Sequence, residues 1–238
     1  MLLRERIIMR KSLIILTFNE IEGSQALLPV LPLQEFDEVL VVDGGSDDGT
    51  VKLFLDHGID VVGQERRGRG EAFRVGAKHT TGDLMVFYSP DGNEDPNDIM
   101  RLVKLIEDGA DLAIASRFAP GARNEEDDSA FRPRAWVNRA LTFVANFLFR
   151  RGPYVTDTIN GFRAIRRDLF DALHLDECGF PIEYQMSIRS MKMRARICEL
   201  PTCEGDRIGG KSKCQSFPVG WGHVKVLARE ILGLMPHP

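Results

Sequence analysis

The strongest chemical signal in the chain is the segment 89–96, "SPDGNEDP", which directly follows the apolar run 83–88. Asp91 and Asn93 stand two apart, and their side-chain oxygens are the kind that hold a hard cation. The competing reading is a plain turn, since Asp, Gly, Asn and Pro are the residues that turns favour. Two more polar clusters, "TFNE" at 17–20 and "DGGS" at 43–46, end apolar runs in the same way. A parallel sheet gathers the carboxyl ends of its strands on one rim, where ligands bind. Three clusters on one rim make a site more strongly than any one of them alone.

Composition bounds what such a site belongs to. A chain of 238 residues, 43% hydrophobic and 28% charged, has the make-up of one large globular α/β domain. Its net charge of −4 names no partner, and none of nucleic-acid type is expected. The distribution says more. Residues 1–116 hold 12 basic and 21 acidic side chains, a balance of −9, against 19 and 14, or +5, in 117–238. That split suits a cation site facing a multiply anionic ligand such as a diphosphate, with chance asymmetry as the alternative. The four cysteines form no CxxC pair, so reduced thiols are expected. The start "MLLRERIIMRK" scatters charges among its apolar residues, unlike a signal peptide, and no apolar run reaches 18 residues. A cytoplasmic protein is expected, with peripheral contact at the cytoplasmic face of a membrane left open.

The elements that must position these residues alternate. Runs at 12–17, 38–43, 59–64, 83–88 and 111–116 read as strands, short and apolar on both faces. Between them "DDGTVKLFLDHG" and "PNDIMRLVKLIEDG" carry helical spacing, with N-cap residues before Thr50 and glycine stops at Gly58 and Gly109. Such alternation predicts an α/β fold, a Rossmann-like and mostly parallel central sheet flanked by helices. Residues 119–133 read as a polar loop, and 135–151 as a strongly apolar helix bracketed by arginines. That helix is either a core helix or a surface helix dipped in a bilayer. A loop at 152–162, helices near 165–173 and 182–193, a strand at 196–202 and a terminal amphipathic helix at 219–234 complete the pattern. The expected division is an extension (1–11), one domain (12–216) and a helical tail (217–238).

Two motif matches fail on context. "GDRIGGKS" at 205–212 fits the P-loop pattern, but Pro218 and Gly220 follow where a helix should begin. "DGNED" begins like a calcium loop, yet Pro96 replaces its glycine and Leu102 its closing glutamate. No dinucleotide G-x-G-x-x-G follows the first strand.

In order along the chain stand "ILTFNE", "VVDGGSDDGT", "RRGRGEA", "SPDGNEDP", "ASRF", "DTINGFRAIRR", "FPIEYQ" and "GDRIGGKSK". With this series the chain resembles the family-2 glycosyltransferases, in particular the dolichol-phosphate-mannose synthase-like (polyprenyl-phosphate) branch, over about residues 12–213. The resemblance implies a glycosyltransferase A-type fold, a nucleotide-binding half at 12–116 and an acceptor half at 117–216. It implies an inverting transfer of sugar from a nucleotide-diphosphate sugar, with a polyprenyl or other lipid phosphate, or else a glycan or small-molecule hydroxyl, as acceptor. Thr17, Glu20, Asp43, Ser89 and Asp91 would bind the donor, and Arg207 and Lys213 would close over its diphosphate. Asp91 and Asn93 would hold Mg²⁺ or Mn²⁺. Arg117, Arg132 and Arg134 would face the acceptor phosphate, with Asp157 and Arg163 as catalytic residues. Two positions depart from the family pattern: Ser89 stands in place of its first aspartate, and Gly44 in place of a second acid after Asp43. These losses of carboxylate motivate a third reading, a weakly active nucleotide-sugar-binding subunit.

The chemistry explains the residue types. Breaking the sugar C1–O bond builds charge on the β-phosphate, which a divalent ion and basic side chains stabilise. A lipid phosphate needs no strong general base, because a phosphate monoester is largely dianionic above about pH 6. A hydroxyl acceptor needs one, and Asp157 is the expected residue.

Overall fold

Alternate residues of the apolar runs go to opposite faces of one sheet. Ile14, Leu16, Leu40, Val42 and Phe87 pack into one core layer, while Leu13, Ile15, Val41, Val86 and Tyr88 pack into the other. Strands buried on both faces need no polar alternation, which is why their sequences read as continuous apolar runs. The computed structural model of the protein describes residues 9–124, 133–209 and 216–233. Lys213 and Arg132 therefore lie outside the described residues.

Seven strands form the sheet: β1 (Lys11–Thr17), β2 (Glu38–Asp43), β3 (Asp60–Gly63), β4 (Leu84–Tyr88), β5 (Leu112–Ser116), β6 (Arg163–Arg166) and β7 (Ile197–Pro201). Their order is β3-β2-β1-β4-β6-β5-β7. All neighbours are parallel except β6, which runs antiparallel between β4 and β5. The sequence predicts a loop and a helix there, not a strand. "RAIR" is too short to declare itself, and it becomes a strand because two edges of the sheet enclose it.

The helices are α1 (Ile21–Leu27), α2 (Thr50–Asp56), α3 (Arg69–Lys78), α4 (Asn97–Glu107), α5 (Pro133–Phe149), α6 (Arg167–Ala172), α7 (Ile182–Lys192) and α8 (Ser216–Leu232). Phe54 of α2 and the stripe Ile99, Leu102, Val103 and Ile106 of α4 cover one face of the sheet. Helices α3, α5, α6, α7 and α8 cover the other. Helix α7 is buried from Ile182 to Met191.

At the end of the sheet opposite the polar clusters, Glu38 ties three segments together. It accepts hydrogen bonds from Ser12 Oγ (2.7 Å), Thr81 Oγ1 (2.6 Å) and the N–H groups of Thr81 and Gly82, with Arg10 2.9 Å away. Burial alone would raise this carboxyl; the hydrogen bonds from Thr81 and Ser12, with Arg10, outweigh it and bring the pKa down to about 2. A depressed pKa contributes stability above the ordinary value of 4.5, and that contribution is lost as pH falls toward 2. Glu38→Gln is expected to unfold more easily at pH 7 and to show a flatter stability profile below pH 4.5. Superimposable acid-unfolding curves would contradict this.

Candidate active site

The carboxyl ends of β1, β2, β4 and β5 meet at one rim, and a cavity of about 790 Å³ opens there. Its walls carry Thr17, Glu20, Ser89, Asp91, Asn93, Arg117, Arg134 and Arg207, all of them sequence-predicted. Residues 114 positions and more apart in the chain, such as Arg134 and Arg207 against Thr17 and Glu20, are brought to one wall only by the fold.

The acidic segment turns out to be both a turn and a wall. The N–H of Asn93 donates to Asp91 Oδ1 at 3.1 Å, a local turn that leaves Oδ2 for longer-range work. Gly92 has φ +95°, and a Cβ there would lie 2.8 Å from the carbonyl of Asp206 and the N–H of Ile208. Only glycine lets the 205–208 segment dock this closely, through Gly205 N–H to Asn93 O (3.1 Å) and Ile208 N–H to Asp91 O (2.8 Å). Docking delivers Arg207, whose Nη1 donates to Asp91 Oδ2 at 2.8 Å while Nη2 pairs with Glu20. Arg207 thus bridges the loops after β1 and β4.

Asp43 is 3% exposed and does not line the cavity. Its Oδ1 accepts from Thr17 Oγ1 (3.0 Å) and Ser46 Oγ (2.5 Å), and its Oδ2 from the N–H groups of Gly45 and Ser46 (2.7 Å each). These bonds shape the 44–46 loop. Gly44 beside it does line the cavity, with Phe18, Gln64 and Arg67. The Arg67 guanidinium lies 4.7 Å from the Phe18 ring centre.

The two expected catalytic residues are placed behind the wall. Asp157 is fully buried and held by Arg117, Nε to Oδ2 at 2.7 Å and Nη2 to Oδ1 at 3.1 Å. It also accepts from the N–H groups of Arg117, Ile159 and Asn160. Burial pushes its pKa up, but Arg117 and these N–H groups more than reverse that and leave it below the usual carboxylate range. A carboxylate so engaged and so acidic is a poor proton acceptor. It serves as a counter-charge that aims Arg117. Arg163 is likewise fully buried, with Nε on Asn160 O (2.9 Å) and Nη1 on Glu183 O (3.0 Å). Burial pulls its pKa down to about 10, and its bonds pin α7 to the 157–160 turn.

Three cavity residues carry no sequence expectation of their own. Arg69 pairs through Nε with Glu183 and donates from Nη1 to Ser89 Oγ at 3.1 Å. Glu183, in "FPIEYQ", is 2% exposed, and its Oε2 has no hydrogen-bond partner among the described residues. Glu94 accepts from the Ser89 N–H at 2.7 Å, and burial pushes its pKa up to about 8 against the opposing pull of Arg69. The motifs "RRGRGEA" and "FPIEYQ" were the only signal for the first two. Toward α5 and α8 the wall passes to Val137, Asn138, Phe180 and His223.

As a metal centre the rim is poor in ligands. No group of three or more His, Cys, Asp or Glu able to hold a cation occurs among the described residues. Asp91 and Asn93 offer one carboxylate and one amide, both hard oxygen donors. That set fits a magnesium-like ion taking its remaining ligands from phosphates and water, and not a free-standing protein cage.

Comparison with known proteins places the chain. It is 32% identical to glycosyltransferase AglJ of Haloferax volcanii over 190 residues, 78% of this chain but only 60% of that one. It is 31% identical to the undecaprenyl-phosphate mannosyltransferase of Micrococcus luteus over 92% of this chain and 93% of that one. Among solved structures, glucosyl-3-phosphoglycerate synthase from Mycobacterium tuberculosis, in complex with Mn²⁺, UDP and phosphoglyceric acid, has the same fold. Its TM-score is 0.70 at 22% identity, covering 98% of this chain and 81% of that one. Residues 12–173 match the family described as glycosyl transferase family 2. With that match over more than half its length, a glycosyltransferase A-type sheet and acid and arginine loops gathered on its rim, the chain belongs to glycosyltransferase family 2.

Proposed function

We propose that this glycosyltransferase moves a sugar from a nucleotide-diphosphate donor to a polyprenyl phosphate, with inversion at the anomeric carbon. The observation that carries the acceptor is the course of the cavity. Its lining takes in the acid loop, Arg117 and Arg134, and also Val137 and Asn138 of α5 and Gly220 and His223 of α8. The outward faces of both helices are apolar. Trp136, Val137, Phe143 and Phe147 are 49–75% exposed on α5, as are Trp221 (60%), Ile231 (52%) and Leu232 (69%) on α8. Buried Leu141 and Ala145 pack the other side of α5, so it is a surface helix and not a core one. Two neighbouring apolar faces with tryptophans suit the edge of a bilayer. No helix among the described residues is long and apolar enough to cross one. The Micrococcus relative's name supports the same acceptor class.

In this reading the donor diphosphate lies between Asp91, Arg207 and Arg69, and Lys213 would join them. A divalent ion held by Asp91 and Asn93 supplies Lewis-acid stabilisation of the leaving diphosphate; the Mn²⁺ and UDP of the structural neighbour support that assignment. Arg207 must then yield Asp91 Oδ2 and keep Glu20. Arg117, aimed by Asp157, and Arg134 orient the acceptor phosphate, with Arg132 as a further candidate. That oxygen is already anionic, so no residue need take its proton.

The experiment is transfer of radiolabelled sugar from UDP- and GDP-sugars to undecaprenyl or dolichyl phosphate in vesicles. Label in the lipid fraction is expected with one donor, and co-sedimentation with the vesicles is expected to weaken for Phe143→Glu/Phe147→Glu. Transfer only to water-soluble hydroxyl acceptors would replace the lipid reading. Nucleotide binding without any turnover would favour a binding subunit.

A further inference from the structure

Where the family resemblance expects an aspartate, this chain has Ser89, and the structure sets a guanidinium against it. Arg69 Nη1 donates to Ser89 Oγ at 3.1 Å, and Arg69 Nε pairs with the carboxylate of Glu183. Its Nη2 stands 3.7 Å from Glu94, beyond hydrogen-bond distance. An arginine has five N–H donors. Nε and one donor of Nη1 are engaged, and Nη2 makes no hydrogen bond beyond its 3.7 Å ion pair with Glu94, on a side chain that is 20% exposed and lines the cavity with Asp91 and Arg207.

The ion pair with buried Glu183 gives the residue a structural partner, while the helix it opens offers it none. Arg69 opens α3, where the helix dipole disfavours a cation. Gly161 gives up its Cβ space to it, since a Cβ there would collide with Nη2. An aspartate at 89 would close on the guanidinium as a salt bridge, cancelling the charge and losing itself as a metal ligand. Serine satisfies one N–H and adds no further carboxylate to Glu183 and Glu94, which already face the guanidinium. Ser89 therefore removes a negative group beside Arg69 at the spot facing the diphosphate.

We propose that Arg69 binds the donor diphosphate directly as a fixed charge, so that a nucleoside diphosphate binds this protein without a divalent ion. The guanidinium fork matches phosphate oxygens two at a time, which a bound ion would otherwise have to organise. This inference rests on the donor-site reading above, and it concerns binding; turnover still draws on Asp91.

The test is calorimetric or thermal-shift titration of the full chain with UDP and with GDP, in EDTA and in Mn²⁺. Wild type is expected to bind one of them in EDTA within about tenfold of its affinity in Mn²⁺. Arg69→Leu should lose about ten- to a hundredfold in EDTA, the worth of one or two charge-assisted hydrogen bonds, and less in Mn²⁺. Arg69→Lys should recover part of the loss. Since Arg69→Leu also strips Glu183 of its partner, Ser89→Asp gives a second readout with Arg69 intact. It should weaken binding in EDTA and widen the gap between the two conditions. Wild-type binding in Mn²⁺ but not in EDTA overturns the inference and spares the donor-site reading. Equal binding by Arg69→Leu and wild type in EDTA does the same. Absence of binding by either nucleotide in both conditions overturns both.

Discussion

Asp91→Ala is expected to lower sugar transfer by about 10²- to 10³-fold while leaving the melting temperature nearly unchanged. The carboxylate sits on the cavity wall with its side chain 20% exposed, and its loss breaks one of the two pairings of Arg207. The loop itself should hold, because Asn93 and the 205–208 segment are tied to it through backbone groups. What is lost is the hard oxygen that, with Asn93, would bring positive charge to the leaving diphosphate. Several kcal/mol of such stabilisation is typical of a Lewis-acid contribution, and each 1.36 kcal/mol is worth about tenfold in rate. The check is kcat with the donor and lipid phosphate that support turnover, alongside the melting curve. Unchanged kcat would mean that "SPDGNEDP" is structural only.

The second large effect is on stability. Asp157→Asn is expected to cost about 3–5 kcal/mol, because Arg117 keeps only Glu204, 3.6 Å away, as counter-charge and three backbone N–H groups lose a carboxylate acceptor. At about 2–4 °C per kcal/mol for a chain of this size, the melting temperature should fall by roughly 6–20 °C. The sign of the pH dependence follows from the depressed carboxyl. Its stabilisation is present above the ordinary aspartate value of 3.8 and disappears as pH falls through the lower folded-state value. Wild type should therefore lose stability in acid more steeply than the variant. A variant that melts like wild type yet has lost all transfer to hydroxyl acceptors would restore Asp157 as a general base.

The parallel core was legible because its signals are local. The runs ending in Thr17, Asp43 and Ser116 are short, apolar on both faces and followed by polar residues, and they became β1, β2 and β5 within a residue or so at either end. The stripe of α4 needs only helical period to be read. Strand β6 did not declare itself, because four residues with an arginine at each end form a strand only between β4 and β5. Helix α5 carried two readings, since an apolar sequence looks the same whether its neighbours cover it or not. The structure leaves Trp136, Phe143 and Phe147 uncovered.

By itself the sequence determined the α/β class, the rim on which the chemistry gathers and the identity of eight residues that line it. The class and the rim follow from hydrophobic period, turn residues and strand ends, which are set within a few residues of chain, whereas Arg117, Arg134 and Arg207 were implied only by the family resemblance. The tertiary structure alone decided what each charge faces. Asp157 and Arg163 went behind the wall and Asp43 into a loop, while Arg69 met Ser89 and a glutamate 114 positions away. A charge takes the partner that best offsets its loss of water, and that partner is chosen by which loops the sheet brings together, not by spacing along the chain.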